Sequence, residues 1–362
     1  MPITEQQVQL ALREITDAST GKDYVSTNEA RNIHIDGSSV SLDIVLGYPG
    51  KSVIESVRKQ VTDKLRTIPG IGDVTVNISS KIVSHSVQRG VKLIPGVKNI
   101  IAVASGKGGV GKSATAVNLA LALAAEGASV GILDADIYGP SQPQMLGITG
   151  RPESPDGKSI VPMKAHGIQA MSIGFLIDAE TPMVWRGPMV TQALQQLLND
   201  TRWNEVDYLV VDMPPGTGDI QLTLAQKVPV TGAIIVTTPQ DIALLDARKG
   251  LKMFQKVGIP ILGIVENMST HICSRCGHEE HIFGEGGGEK MCRDYDVELL
   301  GSLPLDIRIR EHTDSGNPSV VAEPDGRVAE IYRSIARRLA VKVDNLSLDH
   351  SALFAKIVVQ DT

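Results

Sequence analysis

Apolar residues recur at two different spacings over the first 84 positions of the chain. Two stretches carry them three or four residues apart, which predicts amphipathic helices, and others alternate apolar with polar residues, which predicts half-buried strands. The dipeptide Asp36-Gly37 between two alternating stretches is typical of a hairpin turn. The predicted elements are a helix, a hairpin, a second helix and a strand, over residues 3–15, 33–46, 53–65 and 74–78. We therefore expect a small α+β domain over residues 1–84.

The pattern changes after a segment that has no clear period. Residues 85–98 contain glycine and proline and are interpreted as a linker. Beyond it, short apolar runs alternate with helical stretches, which is typical of a mostly parallel sheet with helices on both faces. The apolar runs cover residues 100–104, 130–133, 208–211, 233–236 and 261–265. We expect a doubly wound α/β domain over residues 99–345, with a last helix over 327–341, and a C-terminal tail over residues 346–362.

Composition adds little to the predicted fold, but charge and hydropathy argue against some classes of partner. The 362 residues include 42% hydrophobic and 21% charged residues, which is ordinary for a globular protein. The net charge of −6 argues against a nucleic-acid partner, since nucleic-acid-binding proteins usually carry a basic face. The N-terminal residues have no signal-peptide pattern, and no apolar run is long enough to span a membrane. We expect a cytoplasmic protein with no membrane contact.

The strongest chemical signal follows the first apolar run of the larger domain. The sequence GKGGVGKS after this run meets the pattern of a phosphate-binding loop (P-loop) between a strand and a helix. Its glycines let backbone N–H groups turn toward phosphate oxygens, and the helix N-terminus adds partial positive charge. Lys112 is expected to reach the β- and γ-phosphates of ATP, and the Ser113 hydroxyl to bind Mg²⁺. The expected nucleotide-binding residues of the loop are Gly106, Lys107, Gly108, Gly109, Val110, Gly111, Lys112 and Ser113.

Further charged residues complete the pattern of a nucleotide hydrolase. Lys107 is a second lysine at the start of the loop, and it is a candidate to stabilise transferring charge in a facing subunit. Asp136 follows the second apolar run and is expected to position the attacking water. Asp212 ends the strand at 208–211, which is the Walker-B arrangement, and is expected to act on Mg²⁺ or its waters. For Asp134, a role as a helix cap or as a charge at the end of the strand is as good an explanation as a functional role.

A cysteine pair lies near the end of the larger domain. Cys273 and Cys276 form a C-x-x-C pair, and Cys292 is the third cysteine of the chain. The pair supplies two of the four ligands that a zinc site or an iron–sulfur cluster normally takes. A second copy of the chain would complete four cysteines, whereas Cys292 with one histidine would complete a zinc site within one chain. The histidines available for that second arrangement are His271, His278 and His281.

The cysteine pair is expected near the nucleotide. The apolar run at 261–265 delivers Asn267 to the carboxyl edge of the sheet, where ligands bind in open α/β folds. Asn267 is a candidate to hydrogen-bond the adenine edge. Cys273 follows six residues later, so the two lie at most about 20 Å apart at full extension.

Taken together, these motifs resemble one family. The loop with two lysines resembles the deviant Walker-A loop of the MinD/ParA class. The motifs DADIYGPSQPQMLG, VWRGPM, DMPPGTGD, ENMS and CSRCGHEEHIFGEGGG are similar to those of the Mrp/NBP35 branch, and they begin at residues 134, 184, 212, 266 and 273. The first 80 or so residues resemble the small MIP18-type (DUF59) domain that precedes the ATPase in bacterial members. The resemblance covers nearly the whole chain.

The resemblance implies an ATP-dependent iron–sulfur cluster carrier. It implies that Lys107 reaches across a homodimer and that Asp136 lies in the first switch segment. It also implies that Cys273 and Cys276 hold a labile [4Fe–4S] cluster between two subunits. The implied partners are a second copy of the chain, apo iron–sulfur proteins and scaffold proteins. Two departures stand out: Ala114 replaces a frequent hydroxyl residue, and the first 84 residues contain no cysteine.

Two other functions fit parts of the pattern. A positioning ATPase of the MinD/ParA type would need a basic amphipathic helix or a basic dimer face, and the tail is not basic. An electron-transfer ATPase similar to the nitrogenase iron protein would hold a permanent redox cluster. The cysteine pair fits a labile shared cluster at least as well.

Overall fold

The computed structural model describes residues 3–88, 91–176, 187–273 and 275–346. Two features of the sequence lie outside these residues. They are residues 184–186 of the VWRGPM motif and residues 347–362 of the predicted tail.

The first part of the chain forms a three-stranded sheet covered by two helices. The elements are α1 (Glu5–Arg13), β1 (Ala30–Asp36), β2 (Ser39–Leu46), α2 (Ile54–Leu65) and β3 (Val74–Ser80), with a short 3₁₀ turn at Lys51–Val53. The central strand β2 pairs antiparallel with β1 and parallel with β3. This agrees with the helix, hairpin, helix and strand that the apolar spacing predicts.

Local sequence explains why these elements form. Along β2, Val40, Leu42, Ile44 and Leu46 are buried while the residues between them are half-buried, so one face of the sheet lies in the core. Helix α1 begins with a capping box, in which the Thr4 hydroxyl accepts the Gln7 N–H and the Gln7 side chain accepts the Thr4 N–H.

The second part of the chain forms an eight-stranded sheet. The strands are β4 (Val97–Ala104), β5 (Val130–Asp134), β6 (Met163–Ala165), β7 (Ile168–Ser172), β8 (Val206–Asp212), β9 (Gly232–Thr237), β10 (Ile261–Glu266) and β13 (Leu299–Ser302). Their order is β13-β10-β9-β4-β8-β5-β7-β6, and every neighbouring pair is parallel except β6 with β7. A separate two-stranded hairpin consists of β11 (His271–Ile272) and β12 (Glu279–Glu280).

Helices cover both faces of this sheet. They are α3 (Lys112–Ala125), α4 (Gln142–Met145), α5 (Gly187–Asp200), α6 (Asp219–Lys227), α7 (Asp241–Lys256), α8 (Gly287–Tyr295), α9 (Ile307–Asp314), α10 (Ser319–Ala322) and α11 (Arg327–Asp344), with a 3₁₀ turn at Ile173–Phe175. The phosphate-loop helix α3 packs with α9, α10 and α11, whereas α7 packs with α6 and α8. The doubly wound, mostly parallel sheet confirms the predicted fold class.

Three strands of the large sheet were absent from the sequence prediction. Strands β6, β7 and β13 have three to five residues, and β7 contains the polar residues Gln169 and Ser172. Such short runs show too few apolar residues for a periodic signal. Strand β4 also begins at Val97, two residues inside the segment interpreted as a linker.

A buried polar network joins the two parts of the chain. Glu126 follows the last residue of α3, and its side chain is 0% exposed. Its carboxylate accepts hydrogen bonds from the Ser52 N–H at 3.0 Å, the Ser52 hydroxyl at 2.7 Å and the Arg337 guanidinium at 2.7 Å. Ser52 belongs to the small sheet domain and Arg337 to α11. The far end of the phosphate-loop helix therefore carries the contact with the small domain.

No helix in the described part of the chain is both long and apolar enough to cross a membrane.

The first testable prediction concerns the Glu126 network. Glu126→Ala should lower the free energy of unfolding by about 2 kcal/mol, because it removes the buried carboxylate that bonds both Ser52 and Arg337 and leaves Arg337 with Glu330 as its other ion-pair partner. Urea denaturation followed by circular dichroism measures this loss. Glu311→Ala is the control, since Glu311 is 53% exposed in its ion pair, and it should cost no more than about 0.5 kcal/mol. Equal losses in the two variants would contradict a coupling role for this network.

Candidate functional site

Parallel strands bring the candidate residues to one edge of the sheet. Strand β4 runs into the phosphate loop, β5 ends at Asp134, and β8 ends at Asp212. In the strand register, Asp212 lies opposite Val103 on one side and Asp134 on the other. The chain crosses from β8 to β9 on the far side of β4, so the loop lies where the strand order reverses. This is the position at which open α/β sheets bind ligands.

The phosphate loop has the backbone conformation that its glycines predict. Gly109 and Gly111 have φ of +83° and +79°, in the left-handed region that favours glycine. A Cβ atom at Gly106 would lie 2.1 Å from the backbone carbon of Asp246, so α7 packs directly against the loop. Helix α3 starts at Lys112, which puts its N-terminus at the mouth of the loop.

Three residues predicted to bind Mg·ATP lie in direct contact. The Lys112 ammonium is 2.5 Å from Asp212 Oδ1 and 3.1 Å from the Ser113 hydroxyl. Lys112 is 5% exposed and Asp212 is 0% exposed, so this ion pair is buried. The structure therefore assembles the phosphate lysine and the two expected Mg²⁺ ligands around one point.

Asp134 is a fully buried carboxylate that holds the segment after β5. Its carboxylate accepts the N–H groups of Ser141 at 3.0 Å and Gln142 at 3.1 Å, and the Ser172 hydroxyl at 3.0 Å. Burial raises the pKa of Asp134, and the neighbouring Asp212 carboxylate raises it further. The sequence left a capping role and a functional role open for Asp134. These contacts support a structural role, in which Asp134 fixes the loop that carries Asp136.

Asp136 and Lys107 lie toward solvent. Asp136 is half-buried and lines a cavity of about 440 Å³ together with Tyr138, Pro214 and Gln221. Burial raises the pKa of Asp136, while the Lys112 charge lowers it. Lys107 is half-exposed, and its ammonium has no ion-pair partner within the described residues. Both side chains are therefore placed where an incoming group could meet them.

Asn267 lies against the phosphate loop. Its side-chain N–H₂ donates to the Val110 carbonyl at 2.9 Å, and its oxygen accepts the Met268 N–H. A Cβ atom at Gly111 would lie 2.1 Å from the Asn267 nitrogen, which shows how closely the two approach. Asn267 thus ties the end of β10 to the loop, and its contact with adenine stays a prediction.

The hairpin β11–β12 carries the cysteine pair. The Cys273 N–H donates to the His278 carbonyl, and the Gly277 N–H donates to the Cys273 carbonyl, both at 2.9 Å. The pKa of Cys273 is lowered by the backbone N–H groups of Arg275 and Cys276 and by the Cys276 thiol. The two thiols therefore lie next to each other, on a loop where Cys276 is exposed.

Cys292 has a different environment. It is 8% exposed in α8, and burial, followed by the Glu266 carboxylate, raises the pKa of its thiol to about 11. His271 and His281 each place a ring nitrogen against a backbone carbonyl, of Leu305 and Ser269 respectively. Within the described residues, no three His, Cys, Asp or Glu side chains are grouped to hold one metal ion. An intrachain zinc site with Cys292 therefore has no support in the described residues.

The oxygen-rich end of the site fits Mg²⁺. The Ser113 hydroxyl and the Asp212 carboxylate are the hard oxygen ligands that this cation prefers. The amide oxygen of Gln142 is buried beside them and has no hydrogen-bond partner within the described residues. Such an acceptor suits a water bound to a cation.

Gln142 is the site residue that sequence reasoning missed. It is 1% exposed, and its amide N–H₂ donates to Asp212 Oδ2 at 2.9 Å and to the Ser113 carbonyl at 3.2 Å. Gln142 lies within the motif DADIYGPSQPQMLG that carries the resemblance, but by itself it is only a polar residue before Pro143. That pattern equally predicts a helix start.

Comparison with known proteins gives the family. Residues 96–340 match a family model described as NUBPL iron-transfer P-loop NTPase, and residues 5–78 match one described as iron–sulfur cluster assembly protein. An iron–sulfur cluster carrier protein of Haemophilus influenzae is 50% identical over 340 residues, which cover 94% of this chain and 92% of that protein. A carrier protein of Pseudomonas fragi is 62% identical over 274 residues, or 75% and 96% of the two chains. These matches confirm the resemblance drawn from the motifs.

A solved structure supports the fold. The nucleotide-binding protein of Archaeoglobus fulgidus in complex with ADP is 36% identical, with a TM-score of 0.57. The match covers 65% of this chain and 92% of that one. The chain is thus similar in fold, over 65% of its length, to a nucleotide-binding protein that was solved with ADP.

Proposed function

The chain belongs to the NUBPL iron-transfer P-loop NTPase family, and on that basis we propose that it is an ATP-dependent iron–sulfur cluster carrier. It holds a cluster transiently and passes it to proteins that lack one. Two relatives, whose own chains are covered over 92% and 96% of their length by the match, are named iron–sulfur cluster carrier proteins. We also propose that residues 1–84 and 99–345 are its two domains, joined by the linker 85–98.

One observation carries this proposal more than any other. The Asn267 amide binds the Val110 carbonyl of the phosphate loop, and the cysteine hairpin starts four residues later at His271. A change in the loop on nucleotide binding would therefore reach the cysteine pair through one short, hydrogen-bonded segment. Nucleotide chemistry and cluster handling are coupled at this point.

In the proposed hydrolysis, the residues of the loop bind and orient the nucleotide. The loop N–H groups hold phosphate oxygens, and Lys112 exchanges Asp212 for the β- and γ-phosphates. Ser113 and Asp212 would hold Mg²⁺, which would neutralise charge on the phosphates when bound. Asp136, on the wall of the neighbouring cavity, orients the attacking water. The products are ADP and phosphate.

The proposed active form is a homodimer. Lys107 has no ion-pair partner in the described parts of its own chain and is half-exposed, which suits contact with a phosphate bound by a second copy. Cys273 and Cys276 provide two thiolates per chain, so two chains supply the four that a [4Fe–4S] cargo cluster takes. The three cysteines are free thiols, as expected for a cytoplasmic protein.

The two other functions receive less support. A positioning ATPase leaves the cysteine hairpin without a role, and the similar proteins that cover most of the chain are named carriers. A permanent redox cluster does not require exposed ligands, whereas Cys276 is exposed. An exposed pair suits a cluster that must be released.

A lysine series tests the nucleotide site. Lys112→Ala should abolish ATP hydrolysis and weaken nucleotide binding, because it removes the charge that holds the phosphates. Lys107→Ala should bind nucleotide within about twofold of wild type yet hydrolyse it at least about tenfold more slowly, since its contact forms mainly in the transition state. Release of labelled phosphate and calorimetric nucleotide binding measure the two effects.

The exposed Lys256 provides the matched control for this series, and Lys256→Ala should leave both measurements unchanged. Wild-type hydrolysis by a folded Lys112→Ala protein would refute the nucleotide site. Equal losses of binding and hydrolysis in Lys107→Ala would refute the role given to Lys107.

Serine substitution tests the cluster ligands. After anaerobic reconstitution with iron and sulfide, the double variant Cys273→Ser with Cys276→Ser should hold no iron and should still bind ATP. Cys292→Ser is the matched control and should keep the wild-type iron content, because Cys292 is buried and stays protonated. Iron analysis and the visible absorption spectrum give the result. Loss of metal in Cys292→Ser would show that Cys292 is a ligand.

A further inference from the structure

Gln142 joins two parts of the nucleotide site that belong to different elements. One N–H of its amide donates to Asp212 Oδ2 at the end of β8, and the amide nitrogen also donates to the Ser113 carbonyl in the first turn of α3. An amide nitrogen has two N–H donors, so both are used within the site. Lys112 contacts the same two residues, but through Asp212 Oδ1 and the Ser113 hydroxyl.

The backbone of Gln142 is fixed as firmly as its side chain. Its N–H donates to Asp134 Oδ2 at 3.1 Å, and Asp134 is itself fully buried. Pro143 follows at the start of α4 and restricts the backbone there. With the residue 1% exposed, the amide has little room to take another orientation. Its hydrogen bonds are therefore set before any nucleotide arrives.

The two oxygens of Asp212 have different partners. Oδ1 faces Lys112 at 2.5 Å and Oδ2 faces Gln142 at 2.9 Å. When Lys112 turns to phosphate, as the proposed function requires, the bond from Gln142 is the one that keeps Asp212 in place. The neighbouring Asp134 carboxylate lies opposite in the strand register and would otherwise repel it.

We propose that Gln142 is a positioning residue, which fixes the orientation of the Asp212 carboxylate that would hold the cation of a Mg·nucleotide complex. This inference rests on the proposed function, because it assigns a role within the same nucleotide site. The amide oxygen of Gln142, which has no partner within the described residues, would be available to accept a hydrogen bond from water bound to that cation.

The test compares Gln142→Leu with Gln144→Leu. Gln144 lies in the same short helix, two residues on, and is exposed, so it is a matched control. Calorimetric titration with ADP is carried out with Mg²⁺ and with a chelator in its place. In the presence of the chelator, Gln142→Leu should bind ADP with wild-type affinity, because the phosphate loop and Lys112 are intact. The factor by which Mg²⁺ increases the affinity for ADP should be about tenfold smaller than in the wild-type protein. A loss of this size is expected when a hydrogen bond to a charged group is removed.

A second variant guards against a folding defect. Gln142→Met keeps the length of the side chain and removes both N–H donors, and it should show the same loss of Mg²⁺ response. Circular dichroism of each variant establishes that it is folded. A defect that was only structural would weaken ADP binding equally with and without Mg²⁺, and that result would overturn the inference.

The outcomes separate this inference from the proposed function. If Gln142→Leu and Gln142→Met respond to Mg²⁺ as Gln144→Leu does, while Lys112→Ala weakens ADP binding, the inference is wrong and the proposed function stands. If Lys112→Ala binds ADP as tightly as wild type, the nucleotide site itself is wrong and the inference falls with it.

Discussion

Two carboxylates, Asp134 and Asp212, are buried side by side at the ends of adjacent strands, and the site is built around them. Burying a charge is costly unless donors surround it, and two like charges at neighbouring positions raise that cost. The surrounding loops supply the donors. Lys112 and Gln142 bond Asp212, whereas backbone N–H groups and the Ser172 hydroxyl bond Asp134. The need to surround both carboxylates with donors therefore positions three elements, namely the phosphate loop, the segment after β5 and strand β7.

The same constraint explains how the site can respond to a ligand. In the proposed function, Lys112 is the partner of Asp212 that turns to the phosphates, since it belongs to the phosphate loop itself. Helix α3 starts at this lysine and ends beside Glu126, which holds the small domain through Ser52. Asn267 connects the loop to the cysteine hairpin on the other side. The phosphate loop is thus connected to three parts of the molecule. They are the nucleotide site, the small domain through helix α3, and the cysteine pair through Asn267.

The sequence was most informative where the signal is local. The phosphate loop was predicted because glycines, lysines and the flanking strand and helix lie within a few residues of each other. Long apolar runs predicted five parallel strands, which the structure contains. Contacts between distant positions were not predictable, because Gln142 is 70 residues from Asp212 and Ser52 is 74 residues from Glu126. Strand β7 escaped notice because it is short and its Gln169 and Ser172 are polar.

In the proposed active form, two copies of the chain share one cluster through Cys273 and Cys276. Native mass spectrometry of the reconstituted wild-type protein tests it most directly, because the mass reports subunits, iron and sulfide together. We expect a species of two subunits whose mass exceeds that of the apo dimer by one [4Fe–4S] cluster. A single subunit that carries one zinc ion, or one complete cluster of its own, would contradict it.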